Sequence, residues 1–105
     1  PMVPFDHERL DVYQLALEFV SAAGELITAL PRGRSSTADQ LERAALSILL
    51  NIAEGAGEFS KPEKARFYRM AKRSATECAG ILDVCRVLSA ADGVRIEAGK
   101  AMLMR

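Results

Sequence analysis

The stretch that decides the fold runs from Ser47 to Glu77 and reads SILLNIAEGAGEFSKPEKARFYRMAKRSATE. Its first part is apolar around most of the girth of a helix, and its second part is a basic amphipathic pattern. Burying an amide or carboxylate in so apolar a helix without a partner costs about 1–3 kcal/mol. Asn51 and Glu54 are therefore predicted to be hydrogen-bonded structural groups, and Glu77 is a further polar residue near the predicted core edge.

Length and composition favour a single domain covering residues 1–105, since half of the 105 residues are apolar and can form a genuine core. Fourteen basic residues balance fourteen acidic ones, so no overall field attracts nucleic acid or an anionic membrane. Any such binding must come from local segregation of charge. No apolar run approaches the roughly 20 residues that cross a bilayer. We therefore expect a cytoplasmic protein with no membrane association.

The residues that bear reactive chemistry are few and scattered. Cys78 and Cys85 lie about 10.5 Å apart along one predicted helix, too far for a disulfide, and are predicted to fill the core. His7 is the only histidine, and no Cys-x-x-Cys or histidine pair occurs. We expect no metal site and no cofactor. Glu54 and Glu77 lack a reactive partner and a cleft, so we expect no catalytic residue and no enzyme activity.

The spacing of apolar residues predicts an all-α protomer, an up-and-down four-helix bundle. No strand pattern, internal repeat or low-complexity linker interrupts it. The predicted helices cover about residues 6–30, 37–56, 61–89 and 94–105.

The ends of the middle helices carry recognisable signals. Gly55 and Gly57 are predicted to break the second helix, and Phe59 to anchor the turn that follows. Capping boxes, in which Ser or Thr is followed three residues later by Glu or Gln, are predicted at the starts of the second and third helices. The two boxes are Thr37 with Gln40 and Ser60 with Glu63.

The second helix has two apolar faces. At about 100° per residue, its core face carries Leu41, Ala45, Ile48 and Ile52. A single core needs only one such face, so burial of the other requires a partner chain. This outer apolar face, which we predict to be an oligomer interface, consists of Leu46, Leu50 and Ala53.

The third helix shows the strongest charge segregation in the chain. Five cations lie on the arc opposite its apolar stripe, with few acids between them. Two interpretations stay open, a solvated helix face and a phosphate-binding strip. This basic face consists of Lys61, Arg66, Arg69, Lys72 and Arg73.

A family resemblance spans most of the chain. The residues that carry it are Gln40-Leu41-x-Arg43-Ala44-Ala45-x-Ser47-Ile48-x-x-Asn51-Ile52-Ala53-Glu54-Gly55, Ser60-x-x-Glu63-x-x-Arg66-Phe67, Ala71, Ser74, Glu77, Val12-Tyr13-Gln14-x-Ala16 and Leu30-Pro31. With them the chain resembles the four-helix-bundle proteins of the 23S rRNA intervening-sequence family. That family is similar in turn to the accessory variability determinant of diversity-generating retroelements, a pentameric barrel thought to bind nucleic acid and a reverse transcriptase.

The resemblance implies a four-helix protomer, a homopentameric ring and a bacterial cytoplasmic setting. It also implies RNA or DNA and a reverse transcriptase or other protein as partners, but it implies little about activity. The chain departs from the family pattern at several positions. Leu49 stands where proline is frequent, Lys64 where an aromatic residue is common, and Glu58 and Phe59 replace a usual basic pair.

Two functions follow from these observations. One is a non-enzymatic homo-oligomeric helical scaffold that binds RNA or DNA through the basic face. The alternative is an oligomeric protein-interaction adaptor whose basic face meets an acidic partner, with no nucleic acid involved.

Overall fold

The computed structural model describes residues 11–31, 33–88 and 100–103, and its ordered elements are helices. They are α1 (Asp11–Ala29), α2 (Ser35–Gly57) and α3 (Lys61–Leu88), with a further helical segment at 100–103. No strand occurs within these ranges, which confirms the all-α prediction for the described part of the chain. His7 and the predicted starts of the first and fourth helices lie outside the described residues.

The second helix is the centre of the arrangement, because α2 packs against both α1 and α3. The short connections at 30–34 and 58–60 make consecutive helices run antiparallel.

The 100–103 segment is held against α3 by Lys100, whose Nζ donates to Asp83 Oδ1 at 2.6 Å. That hydrogen bond is the main reason that the pKa of Asp83 lies below its ordinary value. Met102 and Leu103 of this segment pack against the core.

The core forms where the apolar stripes of the helices meet. Leu41, Cys78 and Leu82 are completely buried. Each large apolar side chain that is removed from water in this way contributes about 1.5–3 kcal/mol. The buried stripe of α1 runs from Ala16 to Leu26, whereas Val12 is 50% exposed. The buried residues of α1 are Ala16, Phe19, Ala23 and Leu26, and those of α2 include Leu41, Ala44, Ala45, Ile48 and Ile52.

The start of α2 differs from the prediction. The helix begins at Ser35, and its N-cap residue Arg34 makes no side-chain capping hydrogen bond. The Ala38 N–H donates to the Arg34 carbonyl at 3.0 Å, so Thr37 already lies within the first turn. The predicted capping box of Thr37 with Gln40 is therefore wrong.

The start of α3 agrees better with the prediction. Ser60 Oγ accepts a hydrogen bond from the Glu63 N–H at 3.2 Å, which confirms Ser60 as the N-cap residue. The reciprocal half of the box is not formed, because the Glu63 carboxylate binds Arg66 instead.

Gly55 was predicted to break the second helix, and this prediction is wrong. The residue lies buried inside α2. A Cβ atom at this position would lie 2.7 Å from Tyr68 Cε1 and 3.2 Å from Phe67 Cβ. Glycine is therefore required for the close approach of α2 to α3, and the helix continues to Gly57.

The end of α2 is held by a residue of the next helix. Lys64 Nζ donates to the Ala56 carbonyl at 3.1 Å, and the Glu58 N–H donates to the Gly55 carbonyl at 3.2 Å. These bonds satisfy carbonyl groups that have no partner in the last turn of a helix, and the ammonium also complements the helix dipole. Phe59, predicted to anchor the turn, is instead fully exposed. Lys64 takes the anchoring role.

The Gly55 contact predicts opposite effects of two glycine-to-alanine changes. Gly55→Ala should lower stability by about 1–3 kcal/mol, because the new methyl group overpacks the Tyr68 ring. Gly80→Ala is the matched control within α3: it has no atom within 4 Å of the added methyl and should stabilise by about 0.4–1 kcal/mol. Urea unfolding followed by circular dichroism measures both. A Gly55→Ala protein as stable as the Gly80→Ala protein would contradict the assigned contact.

Burial of the two cysteines predicts slow thiol chemistry in the folded protein. Desolvation, with a smaller contribution from Glu77, raises the pKa of Cys78 to about 12, and desolvation also raises the pKa of Cys85. The folded protein therefore holds the Cys78 proton more tightly than the unfolded chain, in which the pKa is about 8.5. The stability that the buried thiol contributes is complete below about pH 8.5 and is lost as the pH rises towards the folded pKa. Near neutral pH, a colorimetric disulfide reagent should label both thiols quickly in urea and slowly in the native protein. Fast native labelling would show that the core is open.

Candidate nucleic-acid interface

The third helix presents its cations on the side away from the core. All five residues of the basic face are exposed, whereas Ala71, Cys78 and Leu82 on the opposite side are buried. From Lys61 to Arg73 the face extends about 18 Å along the helix axis. The surface is therefore a row of long cationic side chains along one helix.

Arg66 differs from its neighbours because its charge already has a partner. Its Nε and Nη2 donate to Glu63 Oε2 at 3.2 and 3.0 Å, and its guanidinium lies 4.4 Å from the centroid of the Phe67 ring. The hydrogen bond and the negative charge of Glu63 raise the pKa of Arg66 above its ordinary value. The three-residue spacing of an acid and an arginine in one helix is a signal that predicts this pair.

The other four cations of the basic face have no such partner. Within the described part of the chain, the side chains of Lys61, Arg69, Lys72 and Arg73 make no hydrogen bond or ion pair. Lys72 also borders an apolar cavity of about 320 Å³ that is lined by all three helices and the 100–103 segment. These four residues are the cations that remain available to an anionic ligand.

Polar residues of α2 and α3 meet in a groove on another side of the helix pair. Asn51 Nδ2 donates to the Ser47 carbonyl at 2.8 Å and to Ser47 Oγ at 3.1 Å. Ser47 Oγ lies 2.8 Å from Ser74 Oγ, so a short chain of hydrogen bonds joins the two helices. Asn51 therefore has the hydrogen bonds that the sequence predicted, and they act through Ser47.

Glu54 and Glu77 are both exposed. Glu54 has no hydrogen bond or ion pair to the residues that the structure describes, so the predicted hydrogen bonds to α3 or to the following turn are not formed there. The reason is geometric, because Glu54 lies about 200° around the helix from the buried Ile52. Glu77 lines the polar groove together with Gln40 and Arg43. No reactive group adjoins either acid in the described contacts.

The outer apolar face of α2 is left uncovered by the protomer. Leu50 is 59% exposed and Leu46 is 38% exposed, while Ala53 is half-buried. Leu46 borders a shallow cavity that α1 closes on the other side. The assignment of this face to an oligomer interface stays a prediction.

Two features of the described residues bound the chemistry of the site. No group of three or more His, Cys, Asp or Glu side chains is arranged to hold a metal ion in the described ranges. None of the described helices combines the length and the apolar character that crossing a membrane requires.

Sequence reasoning missed two residues near the site. Lys64 was recognised only as a departure from the family pattern, yet it binds the end of α2. Phe59 was predicted to anchor the turn, yet its side chain projects into solvent. The position of Lys64, four residues after the N-cap serine, does not by itself predict a hydrogen bond to the end of α2. The local sequence also does not distinguish a packed Phe59 from an exposed one.

Comparison with known families assigns most of the chain to one family. The model of the family described as 23S rRNA-intervening sequence protein matches residues 8–103. The chain belongs to this family. No curated protein matches the chain.

The chain of hydrogen bonds between α2 and α3 predicts a measurable stability effect. Ser74→Ala removes the interhelical Ser47–Ser74 bond and should lower the free energy of unfolding by about 0.5–1.5 kcal/mol. Thr76→Ala is the matched control, because Thr76 is exposed and bonds only to Lys72 O of its own helix. Its effect should stay within about 0.5 kcal/mol. Equal effects in urea titrations would show that the Ser47–Ser74 bond contributes nothing.

Proposed function

We propose that this protein is a non-enzymatic, homo-oligomeric helical scaffold that binds the sugar–phosphate backbone of RNA or DNA through the basic face of α3. The observation that carries the proposal is the presence of four unpaired, exposed cations on one helix face of a chain whose net charge is zero. Glu63, the acid within this stretch of α3, is paired with Arg66.

The spacing of these cations has an energetic consequence. Arg69, Lys72 and Arg73 lie three and four residues apart, so their charges repel by a few tenths, about 0.2–0.5, of a kcal/mol per pair. An approaching phosphate relieves that repulsion and accepts charge-assisted hydrogen bonds from guanidinium groups. The face is therefore better satisfied in a complex than alone.

The same geometry argues for binding that does not depend on sequence. Phosphate contacts position a protein on a nucleic acid, whereas base-edge contacts specify a sequence. Long, flexible cationic side chains on one helix flank suit the first role. We expect affinity to fall steeply with salt, because each phosphate contact releases a condensed counterion.

Assembly would multiply a weak site. The outer apolar face of α2 shares no residue with the basic face of α3, so copies that associate through α2 can each keep their cations exposed. Repetition of the face raises affinity through effective concentration, without any new kind of contact. The family resemblance implies a ring of five copies, and the family description refers to an intervening sequence of 23S rRNA, which is a nucleic-acid setting.

The double change Arg69→Gln and Arg73→Gln tests the proposed surface. It should leave helicity and assembly intact and weaken binding to every sequence. The plot of log affinity against log salt should become less steep, its slope decreasing in magnitude by about 1.4–1.8. Fluorescence anisotropy of labelled RNA and DNA between about 50 and about 200 mM salt measures this slope.

The matched control removes the same charge from other surfaces. Arg43→Gln with Arg86→Gln changes one arginine of α2 and one at the far end of α3, both outside the basic face. This protein should keep nearly the native slope. Equal losses in the two double variants would refute the assigned surface, and no binding by the native protein at low salt would favour the adaptor function.

Leu50→Glu tests the assembly part of the proposal. A charge placed at a desolvated contact is costly, so the variant should dissociate while keeping its helicity, since Leu50 lies outside the protomer core. Val87→Glu is the control, because Val87 is a 79% exposed apolar residue of α3. Light scattering measures the mass. A native protein that is monomeric at micromolar concentration would exclude the oligomer, and unfolding of the Leu50→Glu protein would show that this face belongs to the core.

A further inference from the structure

Phe59 stands out among the aromatic residues of this region. Its side chain is fully exposed, whereas Phe67 is half-buried and Tyr68 is 38% exposed. Phe67 is covered by Arg66 and Tyr68 packs against Gly55, so both rings have partners in the fold. The Phe59 ring contributes nothing to the core.

The backbone around Phe59 is held on both sides. Before it, the Glu58 N–H bonds to the Gly55 carbonyl at 3.2 Å. After it, Ser60 caps α3, and the Lys64 N–H donates to the Ser60 carbonyl at 3.0 Å. Lys64 Nζ also bonds back to Ala56. The exposed ring is therefore carried by a structured turn, which lowers the ordering cost of binding to it.

The position of Phe59 relates it to the proposed site. It precedes Lys61, the first residue of the basic face, by two residues. A ligand that follows the cations from Arg73 to Lys61 would reach the turn that carries the Phe59 ring. A cationic track that continues to an exposed aromatic ring is the combination found in proteins that bind single strands, where the track holds phosphates and the ring stacks on a base.

We infer that Phe59 stacks on an unpaired base at the end of the basic face and that the ligand is single-stranded RNA or DNA. This inference rests on the proposed function and specifies its ligand. The faces of bases within a duplex are covered by their neighbours, so the ring gains nothing from a duplex. Stacking of one base should strengthen single-strand binding about 5- to 150-fold over the same protein without the ring.

The absence of tryptophan from the chain gives a direct test. Phe59→Trp introduces the single tryptophan of the chain at the proposed stacking position, and its emission can be excited selectively over that of the two tyrosines. A thymidine oligomer of about 12 nucleotides, long enough to span the basic face, should quench this fluorescence saturably. A duplex of the same length should not quench it. Val87→Trp, on a 79% exposed position of α3 away from the turn, is the matched control and should show no saturable quenching.

Affinity measurements complete the test. Phe59→Ala should weaken binding of the thymidine oligomer about 5- to 150-fold and leave duplex binding and the salt slope unchanged, because no charge is removed. Phe59→Tyr should restore single-strand affinity. Since the side chain is fully exposed, none of these changes should alter the unfolding transition.

The outcomes separate this inference from the proposal on which it rests. If the native protein binds neither probe at low salt, both fail. A second outcome is that binding is salt-dependent and is weakened by the double change Arg69→Gln and Arg73→Gln, while the Phe59→Ala protein binds the oligomer as the native protein does. That outcome would overturn the stacking role and leave the proposed function in place. Quenching of the tryptophan at position 59 by duplex and single strand alike would overturn the ligand assignment.

Discussion

The close approach of α2 and α3 at Gly55 is the constraint on which the rest of the structure depends. With no Cβ atom at this position, the Tyr68 ring lies against the α2 backbone, and a larger residue would displace that ring or move α3 away from α2. Lys64 then reaches the Ala56 carbonyl, and the hydrogen bond between Ser47 and Ser74 joins the same helix pair further along. These contacts set the rotation of α3 about its own axis, and that rotation decides which side chains face the core and which face water.

The orientation of α3 explains why its cations are free. Once Ala71, Cys78 and Leu82 are buried, the periodicity of the helix places Lys61, Arg69 and Arg73 on the opposite side. Among the described residues, the ion pair of Glu63 with Arg66 is the one that involves a cation of this face. The protein thus combines a neutral total charge with a locally uncompensated surface.

Periodicity was sufficient to predict the helices, the core stripe of α3 and the exposed cations, because each depends on residues within a few turns of one another. The role of Gly55 was not predictable in the same way. A glycine near the end of a helix pattern can mark a break or a close contact, and only the position of Tyr68 decides between them. Phe59 was misplaced for the same reason, since the burial of a residue in a turn depends on the helices on either side of it. Glu54 differs, because its position about 200° around α2 from the buried Ile52 already places it on the outer side of that helix.

The exposed faces of α2 and α3 differ in chemical character and can vary independently. The outer face of α2 carries the exposed apolar residues Leu46 and Leu50, while the outer face of α3 carries charge, and the two faces share no residue. A change of charge on α3 therefore leaves the apolar face of α2 intact, and a change in Leu50 leaves the cations in place. Because both faces are exposed, neither constrains the core, whose packing is set by Gly55 and the residues around it. The helices can thus keep their packing while the residues on these two exposed faces change.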